Sequence, residues 1–347
     1  MPLSIEHDAD LRPYNSFGVA ARARELLTLD DERDLPAALD RLAGREPVVL
    51  GGGSNLLITR DIERPVLRPA LRGLRFPEDG TRGVDTEAVV EAGAGESWHG
   101  LVRATLARGL CGLENLALIP GSTGAAPIQN IGAYGVEMRE RFHSLRAVRL
   151  ATGERRDFGP ADCRFGYRDS VFKSDAGRGW LVLAVRFRLS RRGTPRVDYG
   201  ELRAELERRG TPLAGDGRPE DALAVADAVE AVRRRKLPDP ARLGNAGSFF
   251  KNPVVDAGTA AALREREPAM PAWPADGGVK LSAGWLIERA GWKGARRGDA
   301  GVSPDHALVL VNHGAATGAE LLALARAIQD DVRARFGVRL EPEPVVL

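Results

Sequence analysis

Two glycine-rich, uncharged loops constrain this chain more than any other feature. The first is Val48-Val49-Leu50-Gly51-Gly52-Gly53-Ser54-Asn55-Leu56-Leu57-Ile58, and it runs straight out of a short apolar strand, residues 47–50. Three consecutive glycines let a backbone approach a bulky anion. The successive N–H groups then donate to pyrophosphate oxygens, with Ser54 and Asn55 as added side-chain donors. A tight strand-to-strand turn is the alternative reading of the same residues. The second loop, IPGSTGAAPIQNIGAYG, fills residues 119–135. A loop of that length is as a rule functional or disordered, and its small side chains suit backbone pressed against a flat ligand. Two such loops, with no acidic metal cluster, point to a large pyrophosphate cofactor.

Several enzyme classes fall away. A dinucleotide-binding GxGxxG needs glycine at position 56, where Leu56 stands. There is no Gly-Lys dipeptide for a phosphate-binding Walker loop, no HExxH and no GxSxG serine. The histidines, His7, His99, His143, His306 and His313, lack metal-ligand spacing, so no metal is expected. Net charge is +2, which gives no electrostatic case for nucleic acid or an anionic membrane. Arginine supplies nearly all the basic residues, and codon bias is the plain explanation. Cys111 and Cys163 form no CxxC and are read as reduced core thiols. The acidic start, MPLSIEHDAD, lacks a secretory pattern, and no apolar run reaches the roughly 18 residues of a membrane helix. A cytoplasmic protein is expected.

At 347 residues the chain has room for two or three domains. Residues 19–29 alternate as a strand, 33–43 suit a short helix, and 88–93 form a second strand. Trp98, Leu101, Val102 and Leu106 define one face of a helix over 96–108, and Gly109 stops it. Residues 145–158 read as a hairpin turning at Thr152-Gly153, and 180–190 as another strand. Residues 211–221 are the best linker, followed by a helix over 221–236. Thr317 and Glu320 form a capping box ahead of Leu321, Leu324, Ile328 and Val332. The fold class is α+β, with expected parts 1–75, 76–218 and 219–347.

Further polar residues invite two readings each. Ser248, in GNAGSFFKNP (244–253), is either a reactive hydroxyl or a buried serine bonded to backbone. Lys236 closes a helix, where pairing with the dipole suffices. Arg168, in FGYRDSVF, and Glu343, in LEPEP, are ordinary surface charges unless a site gathers them. On residues alone, the substrate stays open.

Taken together, GGGSNLL, GLENLALIPGSTGAAPIQNIGAYGVE, CRFGYRDSVFK, KLPDP with GNAGSFFKNPVV, and VKLSAGWLIERAGWKG resemble the UDP-N-acetylenolpyruvoylglucosamine reductase (MurB) family. The motifs run in family order from residue 15 onward and match its longer branch, since the Tyr199 loop is present. The resemblance implies a vanillyl-alcohol-oxidase-like FAD-binding fold of two subdomains, 1–75 and 76–218, with a substrate-binding domain over 219–347. It implies pyrophosphate against Gly51, Gly52, Gly53, Ser54, Asn55 and Leu56. Flavin would lie against Pro120, Gly121, Ser122, Gly124, Gln129, Asn130 and Tyr134.

The implied reaction is NADPH-dependent reduction of an enolpyruvyl ether on a UDP-sugar, by a monomer. Arg168 and Glu343 would stabilise an enol-like intermediate and Ser248 would protonate it. Tyr167, Tyr199, Lys236, Asn252, Trp273 and His306 would contact substrate. Trp273 stands where the longer branch has tyrosine, and His306 where some relatives carry glutamine. Pro344 follows Glu343 where a β-branched residue is usual, which makes Glu341 the fallback for the glutamate. A flavin oxidase of the same superfamily and a non-catalytic UDP-sugar binder are the competing readings.

Overall fold

The near-continuous apolar run WLVLAVRFRL has a simple cause: the strand it forms, Trp180–Ser190, is covered on both faces. It is the middle strand of a five-stranded antiparallel sheet, in the order Arg155–Phe158, Phe142–Arg149, Trp180–Ser190, Glu87–Gly93, Leu74–Arg75. Val185 faces Ala92 on one neighbour and Leu145 on the other. A bulge between Arg146 and Ala147 shifts the pairing, so Leu181 and Leu183 join one apolar cluster while Val182, Val185 and Phe187 join another.

The computed structural model describes residues 3–76 and 87–347, and the chain divides into two units. One comprises residues 1–9, 23–52 and 63–235; the other comprises 10–22, 53–62 and 236–347. In the first unit, the helix Trp98–Leu106 buries Trp98, Leu101, Val102 and Leu106, the predicted face. Ser97 caps it by accepting from the Gly100 N–H, and Gly109 follows at φ +67°. The helix Pro219–Lys236 adds Ala222, Val225, Ala226 and Val229 to the same core. Residues 211–218 ahead of it form an anchored loop, because the buried Asp221 carboxylate accepts the Ala214 and Gly215 N–H groups at 3.1 and 3.0 Å. The expected hairpin is Phe142–Arg149 with Arg155–Phe158, and Gly153 sits in the turn at φ +72°. Strand Arg22–Leu29 pairs in parallel with Val66–Pro69, which pairs in parallel with Val48–Val49.

The second unit holds a four-stranded antiparallel sheet, Gly244–Ser248, Val309–Asn312, Ala300–Val302 and Arg296–Arg297. The helix Gly318–Phe336 packs Leu321, Leu324, Ile328 and Val332 into its core with Phe249 and Phe250. The predicted capping box is present: Thr317 Oγ1 accepts from the Glu320 N–H, and the Glu320 carboxylate accepts from the Thr317 N–H. Strand Leu56–Leu57 pairs in parallel with Val345–Val346. The α+β class holds, and no helix among the described residues is long and apolar enough to cross a membrane.

Gly318 opens its helix where a Cβ would meet the Ile58 carbonyl oxygen at 1.8 Å. Helix propensity alone favours alanine there by about 1 kcal/mol. The clash outweighs it, so Gly318→Ala is expected to destabilise the protein by about 1–3 kcal/mol. Urea unfolding checks this, and a raised midpoint would contradict the packing described.

Candidate active site

In the first unit the two glycine-rich loops meet. A Cβ on Gly52 would fall 2.6 Å from Gly121 Cα, and one on Gly51 would fall 2.9 Å from Ser122 Oγ. Only glycine allows that approach. The second loop is held from behind by the start of the Trp98–Leu106 helix. Trp98 N–H donates to the Gly121 carbonyl at 3.0 Å, and Thr123 N–H donates to the Glu96 carbonyl at 2.8 Å. Gly124 packs so closely on Ala94 that a Cβ would lie 2.5 Å from the alanine methyl. Ser122 is buried, and its hydroxyl oxygen has no hydrogen-bond partner among the described residues. A buried orphan hydroxyl calls for a ligand or water.

The far half of this loop is anchored by side chains. Asn130 is fully buried in left-handed backbone, φ +44°. Its amide donates to the Gly166 carbonyl at 2.9 Å and the Glu137 carboxylate at 3.0 Å, and its oxygen accepts from Arg139 N–H. Tyr134, at φ +48°, meets the Tyr199 ring edge to face at 5.3 Å. Burial pushes its phenol up to about 12. Arg168, also left-handed, donates through Nη2 to the Gly132 carbonyl at 2.7 Å, and its guanidinium lies over the Tyr167 ring. Arg168 therefore rests on the second loop. Tyr167 and Tyr199 are exposed. Pro120 is exposed and Gln129 half-buried in the same loop.

The second unit carries the rest. Gly53 stands at φ +64°, and a Cβ there would lie 1.9 Å from the Tyr14 carbonyl oxygen. Its own carbonyl accepts from Ser16 N–H at 3.0 Å. Next along the loop, Ser54 is half-buried. Asn55 Nδ2 donates to the Glu343 carbonyl at 3.3 Å, and Val345 N–H donates to the Asn55 carbonyl. Glu343 N–H in turn donates to the Phe249 carbonyl at 2.8 Å, which sets Glu343 beside the GSFF segment. Glu341 diverges: it lies 3.5 Å from Lys251 Nζ on the surface. Ser248 ends a strand whose pairing is broken between Asn245 and Ser248, with Gly247 at φ +68°. Such a bulge re-aims the side chain that follows it. No hydrogen bond to the Ser248 hydroxyl is found among the described residues.

The remaining predicted contacts belong to this unit, and Asn252 and His306 meet the adjacent residues Ala283 and Gly284. Asn252 Oδ1 accepts from Ala283 N–H at 3.0 Å. His306 Nδ1 accepts from Leu308 N–H at 3.2 Å, Trp273 is exposed on the strand Ala272–Ala275, and Lys236 ends its helix.

Two residues escaped the sequence reading. Arg233 is half-buried and donates through Nε to the Leu118 carbonyl at 3.2 Å; burial pulls its pKa down, and the neighbouring Tyr134 counters that. Its signal was present, since it continues the 225–229 apolar face by one more step of four. Ser16, beside Gly53, has a buried hydroxyl oxygen without a partner among the described residues. Among those residues, no group of three or more His, Cys, Asp or Glu side chains is arranged to hold a metal ion.

The observations in the first unit fit a cofactor with a pyrophosphate and a flat ring: glycine backbone with no room for Cβ atoms, and the orphan hydroxyl of Ser122. The family comparisons agree. Residues 25–159 match the model of an FAD binding domain, as the expected fold requires. Residues 239–347 match the C-terminal domain of UDP-N-acetylenolpyruvoylglucosamine reductase. The reductase of Chromobacterium violaceum is 55% identical over 100% of both chains, and that of Pseudomonas putida 53% over 99% of both. The crystal structure of the Thermus caldophilus reductase (MurB) matches with a TM-score of 0.67 at 26% identity, covering 100% of this chain and 99% of that one. Identity this high from one end to the other, over a backbone that follows the same course, leaves one assignment: the chain belongs to the UDP-N-acetylenolpyruvoylglucosamine reductase family.

Proposed function

We propose that this protein reduces the enolpyruvyl ether of UDP-N-acetylglucosamine enolpyruvate to UDP-N-acetylmuramate, with NADPH as hydride donor and FAD bound between the two half-reactions. The product supplies the lactyl arm of peptidoglycan precursors. The observation that carries this is the 55% identity to a named reductase along the whole chain. It does not favour a flavin oxidase.

When bound, FAD supplies a ring that accepts hydride from the nicotinamide and passes it to the vinyl carbon of the substrate. The chain's own residues bind, orient and protonate. The backbone of Gly51, Gly52 and Gly53, with Ser54, Asn55 and Leu56, donates to the pyrophosphate. Pro120, Gly121, Ser122, Gly124, Gln129, Asn130 and Tyr134 form the bed for the ring; Asn130 acts through backbone it fixes, because its amide is spent on Gly166 and Glu137. Arg168 offers a planar, permanently charged fork to the substrate carboxylate, where negative charge builds as hydride arrives. Glu343 shares in stabilising that enol-like species, and the surface pairing of Glu341 with Lys251 supports Glu343 over its neighbour. Ser248 Oγ donates the proton to the carbon bearing the ether. A serine is a weak acid, so nearby donors, Lys236 among them, must hold the alkoxide.

Tyr167, Tyr199, Lys236, Asn252, Trp273 and His306 complete the contacts to the sugar nucleotide, Lys236 on a diphosphate oxygen. Residues 1–75 and 76–218 form the cofactor-binding parts in this reading, and 219–347 the substrate-binding part. We read the protein as a cytoplasmic monomer. Burial pushes the Cys111 thiol up to about 11 and the Cys163 thiol up to about 12, as suits reduced structural cysteines.

Anaerobic stopped-flow tests the assignment. NADPH should bleach the flavin band and the enolpyruvyl substrate should restore it; no restoration would sink the proposal. In Ser248→Ala, bleaching should keep its rate while turnover drops about 10²–10⁴-fold. Equal damage to both half-reactions would remove the serine from its role as acid. Gly52→Ala should cost at least about tenfold in FAD affinity by equilibrium titration, because the loops must separate to admit the methyl.

A further inference from the structure

Leu118 stands at the entrance to the second loop in a conformation that a branched side chain rarely adopts, φ +58°. Its peptide groups are gripped from two sides. The Leu118 N–H donates to His99 Nδ1 at 2.9 Å, and its carbonyl accepts from Arg233 Nε at 3.2 Å. His99 lies one residue after Trp98, whose own N–H holds the Gly121 carbonyl. Two residues, Ile119 and Pro120, separate the grips on Leu118 and Gly121. A side chain that fixes Leu118 therefore fixes the direction in which Ile119, Pro120 and Gly121 leave.

We infer that His99 is a positioning residue for the cofactor loop: its unprotonated Nδ1 holds Leu118 in the left-handed turn that carries residues 119–124 to their place. The inference rests on the reading that this loop holds FAD. The geometry requires the tautomer with hydrogen on Nε2, since Nδ1 is an acceptor. Around the ring, Glu230 Oε1 lies 3.5 Å from Nε2 and 3.4 Å from Arg103 Nη1, while Asp227 engages Arg103 at 2.7 Å. Arg233 and Arg234 also act on the ring. Burial lowers the His99 pKa most; Glu230 opposes the shift, and Arg103, Arg234 and Arg233 reinforce it.

A second proton on the imidazole would set Nδ1–H against the Leu118 N–H, and the grip would be lost. The sign follows from the geometry, since protonation removes the Nδ1 lone pair that the held loop uses, and the lowered pKa runs the same way. A chain with the loop released takes up this proton more readily than one with the loop held. The held form therefore loses ground as pH falls below the ordinary histidine value of 6.5, and is favoured above it.

The test measures FAD affinity of the full-length apoprotein by titration, from about pH 7.5 to about pH 5.5, for wild type, His99→Leu and His99→Asn. Asparagine places Oδ1 at the same bond separation from Cα as Nδ1, accepts the same hydrogen bond and does not titrate. Wild type should lose affinity several-fold on acidification. His99→Leu should bind FAD about three- to tenfold more weakly at the upper pH. His99→Asn should recover most of that loss and show a flatter pH profile. Unchanged affinity in His99→Leu would overturn the inference, and so would a wild-type pH profile in His99→Asn. Should the leucine variant fail to fold, the asparagine profile decides. If wild-type protein takes up no FAD at any pH, the cofactor assignment itself fails and the inference goes with it.

Discussion

The site depends on one steric fact: two stretches of backbone come together with no space for a single carbon between them. Gly51 and Gly52 lie against Gly121 and Ser122 so closely that a methyl on either glycine would overlap the neighbouring loop. Glycine loses more conformational freedom on folding than any other residue, so a run of three is costly unless the approach matters. Here it brings bare glycine backbone against a serine hydroxyl that has no partner among the described residues. That combination is what an anion's oxygens require.

Around this contact the chain builds stiffness from several independent elements. The start of the Trp98–Leu106 helix, the Gly166 turn through Asn130, and Arg233 from the Pro219–Lys236 helix each anchor a different point of residues 118–134. Left-handed conformations at Leu118, Asn130, Tyr134 and Arg168 cluster in the same region. Non-glycine residues hold such conformations only where neighbours over-determine them, and such strain gathers at functional sites. A loop of small residues is ordered here by what surrounds it.

Much of this was legible in the sequence, and the reasons differ by element. The faces of the helices Trp98–Leu106 and Gly318–Phe336 follow from apolar spacing and caps, which are local signals. The loops announced themselves by composition, and the family motifs added roles that spacing alone left open. What stayed hidden depends on partners far apart in the chain. Asn130 reads as one more polar loop residue until Gly166 is seen accepting from it. Residues 211–221 read as a linker from their Gly, Pro and Asp content, and although the contact is local, nothing in that pattern reveals that the Asp221 carboxylate accepts from Ala214 and Gly215 and anchors them. Ser16 carries no local mark at all. Its orphan hydroxyl appears only once Gly53 is brought alongside.

The pairing of Leu56–Leu57 with Val345–Val346 has a bearing on biosynthesis. Asn55 takes its partner Glu343 from 288 residues further along. A growing polypeptide on the ribosome thus exposes its glycine loop long before the strand that completes it has been translated. Contacts this distant in sequence form late and slowly. Leu56 and Leu57 of the nascent chain lack their partner strand for most of the time the message is being read.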